Sequence, residues 1–220
     1  MSWDLDQKAA RERRVHRIGL RRRDDNQTLA QMLYKQDIIT HPIALVLEQD
    51  LVIFGSFNDP DCGSFTLIDI ADDYDWIFKG TYFKFLDLEY DQPFMMAVSD
   101  DYGISIHRGI LQKLIEIECL LFFEAATYNR TCGGFEDINV WQLNNFKLQL
   151  TTEELQEETV HNIFNFYPID PNPENYLLRL NYFYQRRYCT ALDYGNNQIG
   201  FAEKYESTAR RNLGKGLKSQ

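Results

Sequence analysis

The stretch Gln185-Arg186-Arg187-Tyr188-Cys189-Thr190-Ala191-Leu192-Asp193-Tyr194-Gly195-Asn196-Asn197-Gln198-Ile199-Gly200-Phe201-Ala202 reads as two strands joined by a tight turn. Tyr194-Gly195-Asn196-Asn197 is rich in residues that tolerate positive φ, and the flanking residues alternate in the manner of strands. Working outward, strand-like runs occur at 176–183, 146–150 and 138–143, and toward the amino end at 76–85, 64–68, 51–55 and 43–47. The turn Asn58-Asp59-Pro60-Asp61 separates two of them. Two segments instead carry helical spacing. Leu29, Met32 and Leu33 share one face after Thr28, and Ile110, Leu111, Leu114 and Ile115 do so after Gly109. Many short strands with turn signals and few helices predict an all-β domain.

Composition agrees with that prediction. The 220 residues are 44% hydrophobic, enough for one sizeable core, and 15 Phe with 13 Tyr favour strands over long helices. No run approaches the roughly 18–20 apolar residues that span a bilayer, so no membrane partner is expected. Residues 1–23 hold eight Lys/Arg against three acids, a net of +5, which leaves −15 on the rest of the chain. The basic runs lack interleaved aromatics and read as a solvated or docking arm, so no nucleic-acid partner is expected. This segment also lacks the apolar stretch of a secretory signal, so the chain expressed as it stands is expected in the cytoplasm. Cys62, Cys119, Cys132 and Cys189 show no CxxC spacing, which argues against zinc or thioredoxin-type chemistry. Reduced buried thiols are expected, although an even count permits two disulfides. The sequons Asn26-Gln27-Thr28 and Asn129-Arg130-Thr131 matter only in a secreted chain. His16, His41, His107 and His161 are scattered, and neither a metal site nor a cofactor is expected.

The closing hairpin resembles that of the pepsin-like aspartic proteases, whose pattern runs roughly R-x-Y-Y-T-V-F-D-x-x-N-N-x-I-G-F-A. The resemblance continues backwards in order. Leu51-Val52-Ile53-Phe54-Gly55-Ser56-Phe57-Asn58, followed by Cys62-Gly63-Ser64-Phe65, is similar to the family's L-x-F-G-G-x-D segment and the G-x-L after it. Tyr74-Asp75-Trp76-Ile77-Phe78 resembles its Y-W-x-I strand, and Cys132-Gly133-Gly134-Phe135-Glu136-Asp137-Ile138 its C-x-x-L-P-D-I strand entry. The helix at 28–37 with the strand at 43–47 resembles the segment that opens the second lobe, and Val15-His16-Arg17-Ile18-Gly19-Leu20 is similar to a propeptide strand. The resemblance implies the carboxy-terminal lobe of a bilobal fold, all-β with two or three short helices, over residues 26–205. A basic arm at 1–25 and a polar tail at 206–220 flank it.

What the resemblance implies chemically is an aspartate in a D-T/S-G-T/S turn, one from each lobe, the pair sharing a proton across a water. By register that turn is Asp101-Tyr102-Gly103-Ile104-Ser105, with Asp101 as the catalytic aspartate. Tyr102 stands in the place of a small hydroxyl residue, Ile104 in the place of a hydrogen-bond donor, and Ser99 and Asp100 where apolar residues lead into the turn. Read from the residues alone, Asp100-Asp101 is an ordinary acidic turn. The family's companion apolar-apolar-Gly-Asp segment falls on Arg179-Leu180-Asn181-Tyr182, of which only Leu180 conforms. Cys132 fits one partner of the lobe's usual disulfide, and no cysteine lies between it and Cys189 to be the other.

The expected function is therefore that of an aspartic-endopeptidase relative, a truncated and catalytically impaired lobe that acts by binding a peptide or protein. The edge that normally faces the other lobe is expected to pair with a protein partner or a second copy. Two alternatives stand beside it: an active endopeptidase, as a homodimer or within a longer two-lobe product, and a structural subunit of a larger assembly. Members of that family are usually secreted or lysosomal.

Overall fold

A computed structural model describes residues 28–48, 51–71, 76–98, 104–122, 126–128, 137–155, 166–169, 176–180 and 182–205. The expected arm at 1–25 and tail at 206–220 lie outside them. The described residues open with α1 (Leu29–Lys35), β1 (Ile43–Glu48), β2 (Leu51–Phe54) and β3 (Thr66–Asp69). There follow β4 (Ile77–Gly80), β5 (Tyr82–Phe85), β6 (Leu88–Tyr90), β7 (Phe94–Val98) and β8 (Ile104–His107), which runs directly into α2 (Arg108–Glu116). The second half carries β9 (Leu120–Phe122), β10 (Ala126–Tyr128), β11 (Ile138–Leu143), β12 (Phe146–Thr151), β13 (Phe166–Ile169) and β14 (Tyr176–Leu180). A 3-10 helix, η1 (Tyr182–Arg186), leads into β15 (Tyr188–Asp193) and β16 (Gln198–Glu203). The protein is mostly β-sheet with two short α-helices among the described residues, as the pattern of short apolar runs predicts.

The hairpin β15–β16 is the centre of a five-stranded antiparallel sheet ordered β2-β1-β15-β16-β3. Its turn is held by the buried Asp193. One carboxylate oxygen accepts from the Gly195 and Asn196 amides at 2.9 and 3.0 Å, and the other accepts from the Asn196 side chain at 2.8 Å. The positive φ expected in this turn falls on Asn197, a residue type that tolerates it. At the front of the sheet lies α1, closed by a reciprocal box in which Thr28 and Gln31 satisfy each other's backbone amides.

A two-stranded ribbon pairs β9 with β10, and two further large sheets complete the body. One is ordered β12-β11-β5-β6, the other β13-β8-β14-β7-β4. The run 76–85, expected as one strand, is two: β4 pairs with β7 in one sheet and β5 with β11 in the other. Thr81 makes the crossing, its amide donating to the Gln142 carbonyl at 3.0 Å. Gly80 is required just before it, because a Cβ there would run into the ring of Phe94. The run 176–183 likewise splits, since the strand ends at Leu180 and the aromatic residues beyond enter η1.

The three large sheets meet at Phe201. Its buried ring stacks on Phe146 of β12 (5.5 Å, 13° between planes) and stands edge-on to Phe78 of β4 at 5.7 Å. Tyr188 adds a polar rivet beside it. Its hydroxyl accepts from the Gln149 amide at 3.0 Å and donates to the Gln149 carbonyl at 3.1 Å, which closes the outer side of β12 against β15.

The cysteines correct the expectation of reduced thiols. Cys62 and Cys189 form a disulfide across 127 residues of sequence, fastening the β2–β3 connection to β15, and Cys119 is disulfide-bonded as well. Cys132 lies outside the described residues. The Cys62–Cys189 bond sits in a small second core of Leu45, Leu47, Ala191 and Ala202, on the face of the hairpin sheet that Phe57 and Phe65 cover.

Candidate functional site

The candidate turn lies where β7, β14 and β8 run side by side. β7 is an uninterrupted apolar strand with Phe94, Met96 and Ala97 buried, the composition of a strand covered on both faces. β14 lies between β7 and β8, parallel to the first and antiparallel to the second. Leu180 sits opposite Val98, and Arg179 is flanked by Ala97 on one side and Ser105 on the other. The last described residue of β7, Val98, and the first of β8, Ile104, thus stand on either side of the end of β14.

Of the five residues assigned to the turn by resemblance, Asp101, Tyr102 and Gly103 lie outside the described residues, as do Ser99, Asp100 and Asn181. The backbones of Ile104 and Ser105 are strand residues of β8, paired with Phe166 and Tyr167 of β13. From there the chain passes without a loop into α2, which His107 opens by accepting the Gly109 amide on Nδ1 at 3.1 Å. Ile110, Leu111 and Leu114 bury the inner side of α2 and anchor β8 from below, as the helical spacing predicts.

Two buried phenols flank the closing strands. Burial pushes both the Tyr184 and the Tyr188 hydroxyl above the ordinary tyrosine range, because an ionised phenolate there loses its hydration. For Tyr188 the hydrogen bond from the Gln149 amide opposes the rise without cancelling it. Both hydroxyls therefore stay neutral at physiological pH and serve as hydrogen-bonding groups. Among the described residues no group of three or more His, Cys, Asp or Glu is gathered as a metal ion requires. No helix among them is long and apolar enough to cross a membrane.

A concave region lies elsewhere on the surface, away from the candidate turn. An open cleft of about 720 Å³ lies beside the Cys62–Cys189 bond, lined by Phe57, Pro60, Phe65, Leu67 and Tyr205 among others. These residues come from a turn, a strand edge and the end of the hairpin, so no periodicity joins them. Only the turn signal at 58–61 marks one wall in advance.

No protein-family model matches this chain, and no curated protein matches it either.

Proposed function

We propose that this chain is one lobe of a pepsin-like aspartic protease fold, impaired in catalysis, that works by binding a peptide or protein. The observation that supports this most is the strand order β7-β14-β8. Val98 and Ile104, the described residues that flank Asp101 in the sequence, stand on either side of the end of β14, two strand spacings or about 10 Å apart. Between them lies Arg179-Leu180, the segment that resemblance assigns as the companion of the Asp101 turn. The closing hairpin, with Asp193 holding its turn, supports the same reading.

Impairment follows from the residues around Asp101. Water activation by a carboxylate needs a partner acid and donors that hold the charge in place, and an unassisted carboxyl near pKa 4 has neither. Tyr102 is too bulky for the clasp that a small hydroxyl residue makes between lobes, and the Ile104 side chain has no donor. The partner in this reading is a peptide or a protein, a second copy of the chain included. Incubation of purified protein with an unfolded protein substrate at acidic pH, with and without pepstatin, tests the claim. No cleavage is expected. Pepstatin-sensitive cleavage that disappears in Asp101→Asn would overturn it.

A further inference from the structure

Tyr205, the last described residue, lines the cleft beside the Cys62–Cys189 bond. The chain leaving β16 is held there against the turn that precedes β3. Cys62 bridges Lys204, the Gly63 amide donates to the Glu203 carbonyl, and the Tyr205 amide donates to the Asp61 carbonyl, both at 2.8 Å. Residues 206–220 are therefore tethered at the wall of the cleft. They hold four Lys/Arg (Arg210, Arg211, Lys215 and Lys218) against one acid, Glu206, a net of +3 on a chain whose total is −10. Leu213 stands between the arginines and the lysines.

The cleft complements that segment in charge and in apolarity. Phe57 and Phe65, with ring centroids 5.8 Å apart, form an apolar wall, and Tyr205 beside them is 62% exposed. Cys62 itself lines the cleft, so its bond to Cys189 pins this wall to β15. Asp59 lines the cleft as well, and Asp61 is exposed beside it. One oxygen of Asp59 accepts the Asp61 amide at 2.9 Å. Its second oxygen and the Asp61 carboxylate have no partner among the described residues. Aromatic rings next to carboxylates suit arginine, whose planar cation stacks on the first and forks onto the second.

We propose that residues 206–220 of this chain dock in the cleft as an intramolecular latch, with Arg210 and Arg211 on Asp59 and Asp61 and Leu213 against Phe57 and Phe65. The reach is sufficient. Five residues from Tyr205 to Arg210 span up to about 17 Å, and eight to Leu213 up to about 27 Å. Tethering also makes a weak contact effective. A short flexible linker sets a local concentration on the order of 1 mM, so a contact with a free-peptide Kd of about 10–100 µM is about nine-tenths or more formed in the intact chain. The site uses none of residues 101–105 and stands whether or not the protease-lobe reading does.

The test is fluorescence anisotropy of full-length chains with a labelled synthetic peptide of residues 206–220. The double variant Arg210→Glu/Arg211→Glu, whose own latch is disabled, is expected to bind the peptide with a Kd of about 10–100 µM. The parent chain, with its latch in place, should bind it at least about tenfold more weakly. Added to the double variant, Asp59→Lys or Asp61→Lys should weaken binding at least about fivefold. Asp61→Lys decides the matter where Asp59→Lys misfolds, because the Asp61 side chain holds no bond in the turn. A peptide of the same composition in shuffled order should also bind at least about fivefold more weakly. No binding to the double variant at about 0.5 mM, or equal affinity for parent and double variant, overturns the proposal. Unchanged affinity in Asp61→Lys or for the shuffled peptide does so too, since the contact would then be diffuse charge. So does a parent dimer in sedimentation that Arg210→Glu/Arg211→Glu dissociates, because the tail would then dock on a second copy.

Discussion

Replacing Tyr188 by Phe removes one oxygen and no packing, which isolates the polar rivet between the hairpin sheet and β12. The hydroxyl is the partner of both the amide and the carbonyl of Gln149, at 3.0 and 3.1 Å. β12 is an edge strand of its sheet, so in the Phe variant these two backbone groups lose their partner on that side. Two hydrogen bonds of ordinary net worth contribute about 2 kcal/mol, and a stranded buried polar group costs about 1–3 kcal/mol. Gln149 is only partly buried, so water can reach one of the two groups and the lower part of that range applies. The expected loss is about 2–3 kcal/mol. In urea, with a slope of about 2–3 kcal/mol/M for a chain of this size, the midpoint should fall by about 1 M with the slope unchanged. The ring contact with Phe146 at 5.7 Å persists in the variant, so lost packing cannot account for the drop. A change below about 0.5 kcal/mol, within the scatter of surface substitutions, would refute the idea that this hydroxyl fastens the sheets.

The same phenol predicts a pH dependence. Burial raises the folded-state pKa of Tyr184 and Tyr188 above 10.0, so their stabilising contribution is complete below pH 10 and is lost as pH rises through the folded values. The urea midpoint of the parent should therefore fall at alkaline pH, and Tyr188→Phe should fall less; equal alkaline losses would contradict the assignment. The double variant Cys62→Ala/Cys189→Ala reopens a loop of 127 residues and should lose about 5 kcal/mol in equilibrium denaturation. A loss under about 1 kcal/mol would mean that this bond does not form in the folded protein. Gly80→Ala drives a methyl group into the Phe94 ring and should cost about 1–3 kcal/mol by thermal melting. Adding Phe94→Leu should recover part of that, and a purely additive pair would exclude the clash as the cause.

Much of the body was legible where a local rule and the tertiary environment agree. The hairpin announces itself because Asp193, Gly195, Asn196 and Asn197 are turn formers for local reasons, and the structure uses three of them in one Asx-capped turn. α2 was legible because Ile110, Leu111 and Leu114 repeat at helical spacing. β7 was not: Phe94-Met95-Met96-Ala97-Val98 neither alternates nor carries β-branched residues until its end, and only burial between neighbouring strands makes it a strand. The split at Thr81 was hidden because β4 and β5 have the same composition and differ only in which sheet claims them. The pairing of Cys62 with Cys189 has no local signal at all. At the candidate turn, the sequence names Asp101 by register alone, and the described strands bring its flanks, Val98 and Ile104, to either side of β14.

That interleaving of β14 between β7 and β8 also sets the order in which the protein can be made. The two flanking strands leave the ribosome together, while the strand that belongs between them follows about 70 residues after β8, a delay of about 3.5–14 s at ordinary synthesis rates. During that interval the nearest partner for each is the other, and a premature β7–β8 hairpin would occupy the hydrogen bonds that β14 needs. The nascent chain must keep two apolar strands apart, or reopen a wrong pairing, before residues 176–180 can be threaded in. Slow synthesis through residues 110–175 would lengthen the hazard, and a chaperone that holds apolar strands would shorten it.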